Sequence, residues 1–126
     1  MHALIVDDSM AARQMAQAAV EDALLDLGHE PTIDVADGGV EALKLLAAGD
    51  VDLLVVDLHM PDIHGIEVLS FWRKRGGSGP ALVVSTGVSD IDQERALKAG
   101  ATAFVEKPIQ ADAIIDILRT ALEEQG

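Results

Sequence analysis

Apolar and polar positions along the chain alternate between two periods. Continuous apolar runs at 2–6, 53–56 and 81–84 each end at a polar residue, and a shorter one occupies 102–105. Between them apolar residues recur at three- and four-residue spacing. The run Leu53–Val56 is four aliphatic residues long, ends at Asp57 and breaks at Met60 and Pro61. A run so short and so continuous is the habit of a strand buried on both faces, as in the middle of a parallel sheet. Thr32–Ala36 alternates instead, with Ile33 and Val35 on either side of Asp34, and predicts a less buried, edge-like strand.

The spaced segments predict helices. Ala16, Val20, Ala23, Leu24 and Leu27 share one face before Gly28 and Pro31 end the first. Val40, Leu43 and Ala47 mark the second, up to Gly49. Ile66, Leu69 and Trp72 mark the third, with Trp72 in the core and Arg73, Lys74 and Arg75 at the C-terminal end that the helix dipole makes favourable for cations. Ser89 and Asp92 stand at cap spacing before a fourth helix with Ala96 and Leu97 inside and Gly100 at its end. Ile114, Ile117, Leu118, Ala121 and Leu122 form the apolar face of a fifth. Five strands alternating with five helices through short connections imply right-handed crossovers and a parallel sheet covered on both faces. The expected fold is therefore a three-layer, doubly wound α/β domain, with no internal boundary in 126 residues.

Composition narrows the function. No cysteine is present, which excludes disulfides, thiol catalysis and cysteine zinc sites. A formal net charge of −13, without a cluster of Lys or Arg, disfavours polyanions, so direct nucleic-acid binding is not expected. Phe71, Trp72 and Phe104 are the only aromatics and offer no stacking platform for bases. No apolar run of membrane-spanning length and no signal-like start is found, and a cytoplasmic protein without membrane insertion is expected.

In a parallel sheet the strand C-terminal ends point the same way, and ligands bind beyond them. Those ends carry Asp7 and Asp8, then Asp57, Thr86 and Lys107. Gathered carboxylates repel one another, and a hard divalent cation such as Mg²⁺ relieves that repulsion. Thr86 and Lys107 are not needed for a cation; they point to an anion held between metal and amine, and a phosphoryl group fits. A carboxylate can then act as nucleophile and form an aspartyl phosphate, with Asp57 the best placed.

The acids Asp7 and Asp8, Asp57 followed by Pro61 and Gly65, Thr86 followed by Gly87, and Lys107 followed by Pro108 run in this order over essentially the whole chain. Together they resemble the receiver domain of bacterial two-component response regulators, here as a stand-alone, chemotaxis-regulator-like receiver. The resemblance implies a flavodoxin-like sheet in the order 2-1-3-4-5. It implies that Asp57 takes a phosphoryl group from a histidine kinase or phosphotransfer protein. Mg²⁺ or Mn²⁺ would be held by Asp8, Asp57, the main-chain carbonyl of His59 and, through water, Asp7. Lys107 would bind a phosphoryl oxygen. Thr86 would move toward the new oxygens and Phe104 would turn into the space it leaves, changing a surface of the fourth helix, fifth strand and fifth helix that meets an unknown protein target. Pro61, Gly65, Gly87 and Pro108 would be structural, with a cis Lys107–Pro108 peptide.

Further expectations concern the departures from the family pattern. His59 and Val88, two residues after Asp57 and Thr86, occupy positions that tune the lifetime of the phosphate in the family. Gly100–Thr102 lacks the acid of the winged-helix subfamily's dimer salt bridges, and Ile109 replaces a common Phe, so a monomer is expected. His59 and His64 are read as solvated rather than as metal ligands. Met10, Ala11, Ala12 and Met15 hint at a kinase-docking surface. The strand beginning almost at Met1 suggests a genuine N-terminus. The protein would catalyse only its own phosphorylation and dephosphorylation. A phosphatase with an aspartyl nucleophile would carry a second Asp where His59 stands. Two other readings remain: a receiver-like interaction module not regulated by phosphorylation, and the receiver piece of a larger regulator or hybrid kinase.

Overall fold

The computed structural model describes residues 1–87 and 89–125, so the expectation attached to Val88 lies outside the described residues. Each apolar run is a strand and each spaced segment a helix: β1 (His2–Val6), α1 (Met10–Asp26), β2 (Thr32–Ala36), α2 (Gly39–Ala48), β3 (Leu53–Asp57), α3 (Gly65–Lys74), β4 (Ala81–Ser85), α4 (Asp90–Lys98), β5 (Ala103–Glu106) and α5 (Ala111–Gln125). The strands form one parallel sheet in the order β2-β1-β3-β4-β5. Its register sets Ile5 beside Val35 and Val55, Asp57 beside Val84, and Ser85 beside Glu106.

Strand pleating divides the core in two, because successive side chains point to opposite faces. Ile5, Val55, Val84 and Val105 pack under α1 and α5 with Val20, Leu24, Ile114 and Leu118. Val6, Val56 and Val83 pack on the other side with Leu46, Leu69, Trp72 and Ala96. All of β3 is buried, whereas β2 at the edge buries only Ala36 fully.

Two helices turn differently from their expected faces. In α2 the buried apolar positions are Ala42 and Leu46, while Val40 is 48% exposed and Ala47 also faces outward. Apolar residues occupy more than one stripe of this helix, and its docking against α3 decides which stripe is covered. In α4 only Ala96 is buried, and Leu97 is 55% exposed. Neighbouring helical residues are about 100° apart, so a helix in shallow contact with the sheet buries one of the two. Ser85 also belongs to β4 as its last residue, one position beyond the expected strand.

Candidate acidic site at the strand ends

A polar residue at the end of a strand keeps the pleat of that strand. Asp7 continues the face of Ala3 and Ile5, Asp57 that of Leu53 and Val55, and Lys107 that of Ala103 and Val105, all on the α1/α5 side. Three chain segments far apart in sequence therefore deliver their charges to one spot. Lys107 Nζ lies 2.7 Å from Asp7 Oδ2 and 3.2 Å from Asp57 Oδ1. Asp7 is 5% and Asp57 7% exposed, and Asp8 beside them is open to solvent. The Ser9 amide donates to Asp7 Oδ1 at 2.9 Å, and Arg13 Nη1 donates to the Asp7 carbonyl at 2.8 Å. Ser9 in turn caps α1 through its Oγ. Asp7 is thus held from both sides; Arg13 had no distinguishing signal in the sequence.

Burial pushes the Asp57 carboxyl above its ordinary pKa, and the charge of Asp7 pushes it further, only partly offset by Lys107. Burial alone would lower the Lys107 amine, but its hydrogen bond to Asp7 and the charge of Asp57 outweigh that and hold it above its usual value. Ligating oxygens of Asp7, Asp8 and Asp57 lie within 4.8 Å of one another. One ammonium does not neutralise three carboxylates, and all three donors are hard oxygens, so the cluster can hold a divalent metal ion.

The segment after Asp57 is pinned along its length. The Leu58 amide donates to the Val84 carbonyl at 2.8 Å, and the Gly65 amide returns to the Leu58 carbonyl at 2.9 Å. A side chain at Gly65 would collide with the Asp57 carbonyl, so this position requires glycine. Between these points Asp62 reaches across to α2: Oδ1 accepts from Gly39 N at 3.0 Å and Oδ2 from Val40 N at 3.0 Å. Those donors, Val40 first, hold the Asp62 carboxyl below the usual carboxylate range. Sequence reasoning saw only turn chemistry here. The signal was the Asp37-Gly38-Gly39 start of α2, which offers no capping side chain at the Gly38 N-cap.

The structure separates the two hydroxyls at the end of β4. Ser85 is 2% exposed and shares the pleat of Ala81 and Val83, on the side where Phe104 packs. Its carbonyl accepts the Lys107 amide at 2.8 Å, and its Oγ accepts the Gly87 amide at 3.3 Å. Thr86 is exposed and lines two hollows, one with Asp7, Lys107 and Pro108 and one with His59, Ser85 and Asp92. Of the two hydroxyls, Ser85 is the buried one, on the face that holds Phe104. The rule that selected Asp7 and Asp57, the first polar residue after the apolar run, would have selected Ser85.

The remaining expected residues are placed as follows. Phe104 is half-buried and Pro61 and Pro108 are exposed, with the Lys107–Pro108 peptide cis. A side chain at Gly87 would meet nothing within 4 Å. His59 is exposed, with Nε2 4.0 Å from Asp92 Oδ2 and its ring edge-on to His64 at 5.6 Å. His64 is not simply solvated: it is the N-cap of α3, its Nδ1 accepts the Ile66 amide at 3.3 Å, and burial followed by the nearby His59 lowers its pKa.

Fold and site together define a class, the flavodoxin-like α/β domains that carry an acidic pocket and one lysine at the strand ends. A family model for the response regulator receiver domain matches residues 3–119, and the chain belongs to that family. It is 34% identical over 122 residues to the sensory/regulatory protein RpfC of Xanthomonas campestris, covering 94% of this chain and 16% of RpfC. It is 32% identical over 125 residues to a chemotaxis protein CheY homolog of Campylobacter jejuni, covering 97% of this chain and 92% of the homolog. Among solved structures, a Burkholderia pseudomallei response regulator with a phosphorylated aspartic acid, calcium ion and citrate superposes with a TM-score of 0.76 at 26% identity, covering 98% of this chain and 70% of that one. The chain is a receiver domain of the response regulators, and it spans about half or less of the length of several of the curated relatives it matches. Among the described residues no helix is long and apolar enough to cross a membrane.

Proposed function

We propose that residues 1–126 act as one phosphoacceptor unit in which Asp57 receives a phosphoryl group from the phosphohistidine of a histidine kinase or phosphotransfer protein in the cytoplasm. The observation that carries this reading is the meeting of Asp57 with Lys107 at 3.2 Å inside a cluster of three carboxylates. A carboxylate oxygen of Asp57 attacks phosphorus, an O–P bond forms and the donor's P–N bond breaks, its electron pair leaving with the imidazole nitrogen, which takes up a proton. Asp8, Asp57 and the His59 carbonyl would hold Mg²⁺ or Mn²⁺, with Asp7 reaching it through water. Bound there, the ion offsets the charge that builds on the phosphoryl oxygens. Lys107 meets a phosphoryl oxygen from the other side, and Asp7 holds its ammonium at the site. Hydrolysis of the acyl phosphate resets the protein. The phosphorylated aspartic acid and calcium ion in the Burkholderia relative support this chemistry.

We assign the responding hydroxyl to Ser85, because it is buried on the face that also holds Phe104. Movement of Ser85 toward the new oxygens frees space for Phe104 and alters the surface of α4, β5 and α5, which engages a protein target. Monomeric action is the simplest form of this reading. The test is the intact mass after incubation with acetyl phosphate and Mg²⁺. Wild type is expected to gain one phosphoryl group and Asp57→Asn none; equal labelling of both, or none of wild type by acetyl phosphate or by phosphorylated kinases, overturns the assignment.

A further inference from the structure

Helix α2 begins without a cap of its own. Its N-cap is Gly38, in extended backbone that any residue can adopt, and no side chain of the helix's own start satisfies its first amides. A cap needed only for α2 is ordinarily met by Ser, Thr, Asp or Asn at that position. Here it arrives from the segment between β3 and α3, with Asp62 spanning Gly39 and Val40 at 3.0 Å each while its Oδ1 also takes the Ile63 amide at 2.8 Å. The two glycines make the approach possible. A Cβ at Gly38 would stand 2.9 Å from Asp62 Oδ2, and one at Gly39 would stand 2.5 Å from Ile63 Cβ.

We propose that Asp62 is a positioning residue: by serving as the missing cap of α2 it fixes the segment His59–Pro61 and so holds the His59 carbonyl beside Asp57. The inference rests on the cation reading given under Proposed function. The segment is anchored on β4 through Leu58, on α2 through Asp62 and back on itself through Gly65, and His59, Met60 and Pro61 lie between the first two anchors. A carbonyl ligand on a loop has no side-chain rotamer to adjust, so its position is only as good as the anchors on either side. The first anchor is a sheet hydrogen bond. The second is the Asp62 carboxylate, which the α2 amides keep ionised, favouring a charge-assisted contact.

The experiment compares wild type, Asp62→Ala, Asp62→Asn and the double variant Asp62→Ala/Gly38→Ser by calorimetric titration with Mg²⁺ alone, at a temperature where circular dichroism shows each to be folded. The serine would cap α2 locally, in space the carboxylate has left, without restoring the tether. Asp62→Ala is expected to weaken Mg²⁺ binding about tenfold, the scale seen when a residue that holds a metal ligand in place is removed. The double variant regains melting temperature but not Mg²⁺ affinity, and Asp62→Asn, which keeps one acceptor oxygen, falls between. Unchanged Mg²⁺ affinity in Asp62→Ala, or recovery of that affinity in the double variant, overturns the proposal and leaves Asp62 as a helix cap only. Folded wild type that binds no Mg²⁺ overturns the cation reading itself, an outcome seen before any substitution is made.

Discussion

Lys107 is bound more closely to Asp7 than to Asp57, at 2.7 Å against 3.2 Å. The ammonium therefore rests on Asp7 and stays within reach of Asp57, the acceptor proposed above. Lys107→Ala is expected to leave acceptance from a phosphodonor measurable by intact mass, while the phosphorylation-dependent amide shifts of α4 and β5 disappear. A Lys107→Ala protein whose α4 and β5 amides shift as in wild type would count against the mechanism.

Burial and the charge of Asp7 are expected to make Asp57 lower stability at neutral pH in the metal-free protein. Its folded-state pKa is raised above the ordinary value of 3.8, so between 3.8 and the folded value the native state binds more protons than the unfolded chain. Stability contributed by this group is then lost as pH rises through that window. Asp57→Asn should raise the unfolding free energy at pH 7 by on the order of 1 kcal/mol, and the melting temperature with it, with the gain vanishing at pH values below 3.8. A pH-independent gain, or none, would show that burial and Asp7 do not act on Asp57 as described.

Asp8 separates cation binding from folding because it is the exposed member of the acidic cluster. Mg²⁺ should stabilise wild type by on the order of 3 kcal/mol at about 100-fold above its dissociation constant. Asp8→Ala should abolish that gain while leaving the melting temperature without metal nearly unchanged. Thermal melts with and without Mg²⁺ decide it, and an undiminished gain in Asp8→Ala removes Asp8 from the ligand set.

Ser85 and Thr86 make opposite predictions. With fluorinated phenylalanine at Phe71 and Phe104, phosphorylation should move the Phe104 resonance in wild type and in Thr86→Ala. In Ser85→Ala it should move little, since losing a hydrogen bond to a charged group costs about 1.5–3 kcal/mol of the switching equilibrium. The reverse pattern would return the role to Thr86.

Much of the molecule was legible because its signals are local. The buried run of β3, the alternation of β2, Ser89 as a cap and Gly28 and Gly100 at helix ends all express backbone geometry over a few residues. Asp7 and Asp57 were legible for the same reason, as polar residues ending apolar runs, and Lys107 stands one place further on, after Glu106. Ser85 was passed over because two hydroxyls stand together, and only the pleat of β4 tells them apart. The faces of α2 and α4 were misjudged because helical spacing names the apolar positions without saying which of them a neighbour will cover.

The sequence by itself determined the order of strands and helices, the two-sided burial of the sheet and the chemical types assembled at its edge, since these follow from side-chain period and from the shared direction of parallel strands. Only the tertiary structure decided which charges touch, which hydroxyl lies inward and that Asp62 caps a helix begun 23 residues earlier. Those outcomes depend on register and on contacts between distant segments, where a shift of one residue reverses the face of a side chain and a few tenths of an ångström decide a hydrogen bond.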